Sequence, residues 1–430
     1  MSGFLDDWLP PIPKNWRVKP LFALATERVR PNTGLLESQV LSLSYGKVVK
    51  RDVESNYGLL PDTFDGYNIV EPDDIVMRMT DLQNDQRSLR TGQVTERGII
   101  TSAYVTIVPS VDLTPRFAHF LLHGYDLAKV FYRMGGGLRQ SLKYADLKRL
   151  PLLMPPRPEQ TRIANFLDEQ TARIDALIAE KERLDGLLGE YRASLISAAV
   201  TGQVDVEHRR VYKRGRGVSG WPVTRLRYVA ELNPVVRQEL LQAPETEVSF
   251  LPMEAIGEDG CLNLERTRPV TDVRNGYSYF EDGDVAFAKV TPCFENGKGA
   301  LMFGLERAAG FGTTELTVLR PKQGTVPRFL HYVVQSSLFR RCGAAAMTGA
   351  GGLKRVPDEF TRDFTTPWPS FVEQTRIANF LDEQTARIDV LREHCRKHIT
   401  LLREYRASLI SAAVTGQLNV DSFGREVVQA

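Results

Sequence analysis

EQTRIANFLDEQTARID, residues 159–175, is written a second time, unchanged, at residues 373–389. The offset is 214 residues (373 − 159), and it holds further along. EYRASLISAAVTGQ fills both Glu190–Gln203 and Glu404–Gln417. A repeat this long means one structural unit used twice. Two copies of one surface suggest two copies of one partner.

The repeated segments read as helices. Apolar residues recur in alternating steps of three and four, the pattern of an a/d seam. The first copy carries Leu167, Ile174, Leu177, Leu184, Leu188, Tyr191 and Leu195; the second carries Leu381, Ile388, Leu391, Leu402, Tyr405 and Leu409. Polar interruptions at Gln170, Lys181, Gln384 and His398 fit register-setting positions or local exposure. The ends are marked too. Pro158 suits a first helical position, Ser370 with Glu373 has capping-box spacing, and Gly202 and Gly416 stand where a left-handed cap is wanted. Some 40–45 residues at about 1.5 Å each give rods of roughly 60–65 Å.

Residues 1–158 and 204–372 form two further blocks that resemble each other faintly. Trp16-x-Val18-x-x-Leu21 matches Trp221-x-Val223-x-x-Leu226; EPDDIV (Glu71–Val76) matches EDGDVA (Glu281–Ala286); PRFAHFLL (Pro115–Leu122) matches PRFLHYVV (Pro327–Val334). Short β-type runs broken by Gly, Pro, Asn and Asp dominate both, with one or two helices late in each. The order is block (1–158), helical region (159–203), block (204–372), helical region and tail (373–430). The fold class expected is α+β, with two similar β-rich domains separated by two long helices. Near-identical helices beside divergent blocks suggest that the helices bind one thing twice and the blocks bind two different things.

Bulk properties bound the answer. The chain has 430 residues, 55 Lys and Arg against 53 Asp and Glu, and a net charge of +2. That balance neither demands nor excludes nucleic acid. No apolar run approaches the roughly 18–20 residues of a membrane span, and MSGFLDDWLPPIPKNW lacks the form of a signal peptide. Cys261, Cys293, Cys342 and Cys395 make no CxxC pair and suggest reduced thiols in the cytoplasm.

Enzyme motifs are missing from this reading. Asn233-Pro234-Val235-Val236 starts like the Asn-Pro-Pro-aromatic motif of adenine methyltransferases but lacks the second Pro and the aromatic, so it reads as a turn after a strand. The glycines at 135–137 and 349–352 lack the Walker Gly-Lys-Ser/Thr ending. The six histidines form no ligand-spaced cluster, and His119 and His331, equivalent in the repeat, read as packing or capping residues. Basic residues gather instead around the Gly-rich turns: Arg133, Arg139, Lys143, Lys148 and Arg149 in the first block, Arg340, Arg341, Lys354 and Arg355 in the second. A glycine turn lets backbone approach a phosphate while Arg or Lys supplies counter-charge. The stretch Arg209–Arg216 is also basic.

These residues resemble the specificity subunit of Type I restriction-modification systems. The likeness rests on the doubled EQTRIANFLDEQTARID, each copy following a Pro-rich stretch and ending in TGQ. It also rests on LSLSYGKVV (Leu41–Val49), IVEPDDIVMRMTDLQND (Ile69–Asp85) and DVAFAKVTPCFENGKGA (Asp284–Ala300). The resemblance implies two target recognition domains that each read half of a split site in double-stranded DNA. It implies helical regions that dock two modification subunits, which hold S-adenosylmethionine and methylate adenine N6. Two restriction subunits using ATP and Mg²⁺ can join them. No catalytic residue, metal or cofactor is then expected in this chain. Adenines on opposite strands are related by a local two-fold, so two identical partners must be presented by a pseudo-two-fold. That arrangement makes the helices an antiparallel coiled coil and a spacer.

Base-reading candidates follow from side-chain chemistry, because Arg and Lys suit guanine and Asn and Gln suit adenine. They are Arg78, Thr80, Gln83, Asn84, Arg139, Gln140 and Lys143 in the first block, and Lys289, Thr291, Asn296, Lys298, Lys354 and Arg355 in the second. An autonomous methyltransferase or nuclease, or a coiled-coil scaffold without DNA, are the alternatives. Methylation by the chain without partners would favour the first. Lack of salt-dependent, sequence-specific DNA binding by the assembled complex would favour the second.

Overall fold

A computed structural model of the chain describes residues 11–51, 63–85, 89–134, 141–206, 210–211, 220–350 and 352–423. The fold is α+β. Two β-rich blocks with short helices alternate with two helices of 44 residues, Arg157–Val200 and Phe371–Val414, packed antiparallel. The chain divides into two compact units, Met1–Lys181 with Lys397–Ala430, and Glu182–Arg396. Each unit therefore owns one end of each long helix.

In the first unit four antiparallel strands lie in the order Ala25–Glu27, Val105–Pro109, Ile75–Met77, Thr91–Gln93. Arg17–Pro20 pairs separately with Pro151–Met154, beside the start of the first long helix. The helix Pro115–Leu127 begins on its proline, which has no N–H to leave unpaired. It buries Phe117, Leu121, Leu122 and Tyr125 against the sheet residues Ile75, Met77 and Ile107. Leu167 and Ile174 of the first long helix and Leu409 and Ile410 of the second complete that core. Each buried Leu or Ile contributes about 1.5–3 kcal/mol relative to exposure.

The second unit repeats the plan. Its four antiparallel strands run Ala230–Leu232, Leu316–Pro321, Val285–Ala288, Gly299–Leu301. Val223–Arg225 pairs with Thr365–Pro367. Pro327–Gln335 is the matching amphipathic helix, and its Phe329 and Val333 pack with Leu195, Leu381 and Ile388 of the long helices. A second sheet, Thr267–Pro269, Glu247–Leu251, Ala309–Gly312, Ser278–Glu281, includes one parallel pairing. In the first unit the corresponding region holds a Leu41–Ser44/Lys47–Lys50 hairpin and the pair Asn68–Val70/Gly98–Ile100. This is where the two blocks diverge most.

Local devices recur at the repeat offset. Gln160 accepts from the Thr114 N–H at 2.9 Å and donates to the Asp112 and Pro155 carbonyls. Gln374 likewise accepts from the Val326 N–H at 2.9 Å and donates to the Gly324 and Pro369 carbonyls. Both ties fix where a long helix leaves its block. At the far ends Gly202 and Gly416 adopt φ of 74° and 72°. Gln203 N–H then reaches Ala198 O, and Gln417 N–H reaches Ala412 O, each closing the 6→1 bond of a Schellman motif. Glu373 N–H also donates to the Ser370 hydroxyl, the half of the capping box on the backbone side.

The turns EPDDIV and EDGDVA are built alike. Asp74 is buried, accepts from the Glu71 N–H and pairs with Arg28. Asp284 is buried, accepts from the Glu281 N–H and is held bidentately by Arg320 at 2.9 and 2.8 Å. Burial raises both carboxyls above their usual range, and the hydrogen bonds and arginines only partly offset it.

Candidate recognition loops and docking faces

In each block one strand of the four-stranded sheet runs into a loop that returns to the neighbouring strand. Ile75–Met77 leads into residues 78–85, and Val285–Ala288 leads into residues 289–298. Strand pairing pins both bases: Arg78 N–H donates to Arg90 O at 2.8 Å, and Ala288 N–H donates to Lys298 O at 2.9 Å. A second segment lies alongside each loop. Leu142 N–H donates to Met79 O, and Val356 N–H donates to Lys289 O, both at 2.8 Å.

The sequence candidates thus meet in two places. In the first unit Gln83 and Asn84 are exposed on the 78–85 loop, and Asn84 also donates to Asp81 at 2.7 Å. Arg78 is half-buried and pairs with Asp85, and Thr80 turns its carbonyl inward. Lys143 is exposed beside Met79, with its N–H held by Asp146 at 2.9 Å. Arg139, Gln140 and the first glycine run lie outside the described residues, as does most of Arg209–Arg216.

In the second unit Lys289, Thr291, Lys354 and Arg355 form one group. Thr291 N–H donates to Lys354 O at 3.0 Å, and the Thr291 hydroxyl reaches the same oxygen at 3.3 Å. Arg355 is half-exposed, and its fork closes on Glu315. That pairing holds Glu315 below the usual carboxylate range. Asn296 is exposed and lines a cavity of about 700 Å³ with Arg192, Gln335 and Arg340. Lys298 departs from the group: its ammonium donates inward to the Met253 carbonyl at 3.0 Å.

Three residues passed over in the sequence shape these loops. Arg90 is fully buried under the first loop, and Tyr132 closes over it. Gln335 holds the second loop from below, donating to the Gly297 and Gly299 carbonyls. Arg90 and Lys298 stand at equivalent places, each just before the returning strand. That equivalence was the available signal.

Asn233 serves the backbone. At φ 49° it exchanges bonds with Val318 through its own N–H and its Oδ1, as a turn after a strand does. His119 and His331 turn unpaired, buried Nδ1 atoms into the protein. Burial first, then the charge of Arg406 or Arg192 respectively, depresses each to about 4. Among the described residues no group of three His, Cys, Asp or Glu could hold a metal ion. No described helix is long and apolar enough to cross a membrane.

The helical seam has two fates. Leu167, Ile174 and Leu409 are core residues of the first unit, with Leu402 half-buried beside them. Leu195, Leu381 and Ile388 are core of the second, with Leu188 at its edge. Leu177, Leu184, Tyr191, Leu391 and Tyr405 are exposed by 39–57%. Globular blocks cover the helix ends, and side chains further along face solvent. Three exposed pairs are equivalent in the repeat: Leu177 with Leu391, Leu187 with Leu401, Tyr191 with Tyr405. In the first unit Leu177, Leu401, Leu402 and Tyr405 line a shallow apolar groove of about 390 Å³.

No family model matches the chain. It is 42% identical over 161 residues to the specificity subunit of the Type I restriction enzyme EcoAI of Escherichia coli, covering 37% of this chain and 27% of that protein. It is 33% identical over 203 residues to the specificity subunit of EcoEI of Escherichia coli, covering 46% and 33%. The matched stretches thus span about a third or less of those relatives' length. Among solved structures, a chain from a study of complex assembly and conformational transition of the type I R-M system matches with TM-score 0.65. Identity is 15%, over 95% of this chain and 100% of that one. That likeness concerns the fold.

Proposed function

We propose that this chain, which belongs to the family of Type I restriction specificity subunits, is the non-catalytic DNA-reading adaptor of a Type I restriction-modification complex. Each block reads one half of a split site in double-stranded DNA. The long helices dock two modification subunits, and two restriction subunits join through them. S-adenosylmethionine and adenine N6 chemistry belong to the modification subunits, and ATP and Mg²⁺ to the restriction subunits. The complex works in the cytoplasm, on the cell's own DNA and on incoming DNA.

One contrast carries this reading. Leu177, Leu187 and Tyr191 recur without change as Leu391, Leu401 and Tyr405 on exposed helix surface. The loops at 78–85 and 289–298 hold equivalent places with different side chains. Exposed side chains that recur suit one partner taken twice. Divergent polar loops suit two different base sequences, since base edges are told apart by which donors and acceptors face them. Exposed Lys143 and Lys354 beside those loops suit phosphate, which sets position without reading sequence.

The test is a map of N6-methyladenine in cells expressing the modification subunit, with and without this chain. Methylation confined to a split motif, and dependent on the chain, is the expected result. Replacing residues 204–372 with the same block of a relative should change one half of the motif only. A motif that survives deletion of the chain would sink the reading.

A further inference from the structure

We propose that Arg90, too deep to touch DNA, determines how sharply the first block discriminates its half-site. The inference rests on the reading that residues 78–85 face bases.

Arg90 is 0% exposed, and all five of its N–H donors are used. Nη1 donates to the carbonyls of Arg78 at 3.1 Å and Thr80 at 2.7 Å. Nη2 donates to those of Asp81 at 3.2 Å and Asp85. Nε donates to the Tyr132 hydroxyl at 2.8 Å, and the guanidinium lies 5.2 Å from that ring's centre. The Tyr132 hydroxyl in turn reaches the Asp85 carbonyl. The backbone N–H of Arg90 is held by the buried Asp126 at 2.6 Å.

Four carbonyls of one short loop therefore converge on one planar fork. A guanidinium has a fixed donor geometry, so the loop satisfies it in one arrangement only. Turning those carbonyls inward leaves Gln83 and Asn84 pointing out. Asp81 sits at φ 57°, a left-handed conformation that the carbonyl bonds on either side sustain. Discrimination between base pairs depends on side chains held to a fraction of an ångström by the groups beneath them. Arg90 supplies that support.

The second block makes the comparison. Lys298 stands at the equivalent position and spends its charge on one carbonyl, that of Met253. Its loop is held instead by Gln335 at Gly297 and Gly299. Arg90 thus acts on the first block alone, which makes the prediction specific to one half-site.

The experiment uses the full chain assembled with its modification subunits. Methylation rates are measured on the cognate site and on sites with single changes in either half. Arg90→Lys and Arg90→Met should cut discrimination in the first half at least tenfold. Discrimination in the second half and the salt dependence of non-specific binding should stay unchanged. Tyr132→Phe keeps four of the five Arg90 bonds and should relax the first half by a few-fold, which tests the idea even if the Arg90 variants fail to fold. Gln83→Ala and Asn84→Ala test the underlying reading. If these two leave first-half preference intact, the loop does not read DNA and both readings fall. If they change it while the Arg90 and Tyr132 variants do not, the role of Arg90 alone is overturned. A merely structural Arg90 would weaken methylation equally at all sites, which also overturns it.

Discussion

Arg406 donates to Asp175 at 2.9 Å, and their repeat equivalents, Arg192 and Asp389, pair at 3.1 Å. Each pair joins the two long helices within one unit, and the same letters of the repeat make both. The arginines are 22% and 16% exposed and the carboxylates 37% and 39%, so solvent screens part of the attraction. A double-mutant cycle with Arg406→Met and Asp175→Asn should give a coupling of about 1 kcal/mol or less. The cycle at Arg192 and Asp389 should agree within about 0.5 kcal/mol. Denaturant unfolding at low and high salt checks both values, and coupling should shrink with salt.

The same arginines sit near histidines whose Nδ1 atoms are buried, which gives a pH dependence. His119 and His331 have native values of about 4 against an ordinary 6.5. The stability from keeping them neutral is fully present above about 6.5 and is lost as pH falls toward 4. Each contributes a slope approaching 1.4 kcal/mol per pH unit in that window. In the first unit Asp126, raised to about 6 by burial, works the other way: its contribution grows as pH falls from 6 toward 3.8. His331→Phe and His119→Phe should therefore each flatten the acid limb of stability. Urea titrations at pH 7, 6 and 5 read this directly.

Gly202 and Gly416 share a left-handed φ but not a neighbourhood. A Cβ at Gly202 would meet the Trp221 ring at 3.2 Å; one at Gly416 would meet Pro13 at 2.4 Å as well as Trp16 at 3.2 Å. Both alanine variants carry a conformational cost of about 1 kcal/mol. Gly416→Ala adds a clash that its neighbours must move to relieve. Thermal unfolding should place Gly416→Ala well below Gly202→Ala, with losses of about 2–3 and 1–2 kcal/mol.

Docking separates from stability because the side chains involved are exposed. Leu177→Ser with Tyr405→Ala should remove one modification subunit from the assembled complex. Leu391→Ser with Tyr191→Ala should remove the other, and all four together should remove both. The free chain's unfolding should barely move, as surface changes cost within about 0.5 kcal/mol each. Native mass spectrometry counts the subunits. Full stoichiometry in the fourfold variant would rule these faces out.

Arg355 and Lys354 should divide by role. Arg355→Ala should relax the second half-site by about 1–3 kcal/mol at one base pair. Lys354→Ala should weaken binding to all sequences alike and lower the salt slope by about 1. Binding titrations of the assembled complex on matched and mismatched duplexes, at several salt concentrations, separate the two.

Some of this was legible in the letters. The long helices, their glycine caps and the kinship of the two blocks follow from repetition, and helical periodicity is a local property of hydrogen bonds reaching four residues along the chain. The grouping of Lys289, Thr291, Lys354 and Arg355 was partly legible, since the matched Gly turns hinted at it. Nothing in the sequence showed that the Lys298 ammonium donates inward to the Met253 carbonyl, because a charged residue beside glycine reads as surface. Arg90 was passed over for the same reason reversed. A fully buried arginine is rare, and nothing in its own neighbourhood in sequence marks it as one.

The sequence by itself determined the parts and their duplication: two helices of one design, two blocks of one framework, and caps that end each helix on a glycine. Only the tertiary structure decided which seam residues became core and which stayed on the surface. It also decided that four carbonyls of residues 78–85 would converge on Arg90, while Gln335 holds the Gly297 and Gly299 carbonyls of the second block. The physical reason is range. Caps and periodicity are settled within a turn or two of chain. Burial and donor–acceptor matching depend on strands, loops and helices brought together from distant stretches, such as Asp175 beside Arg406.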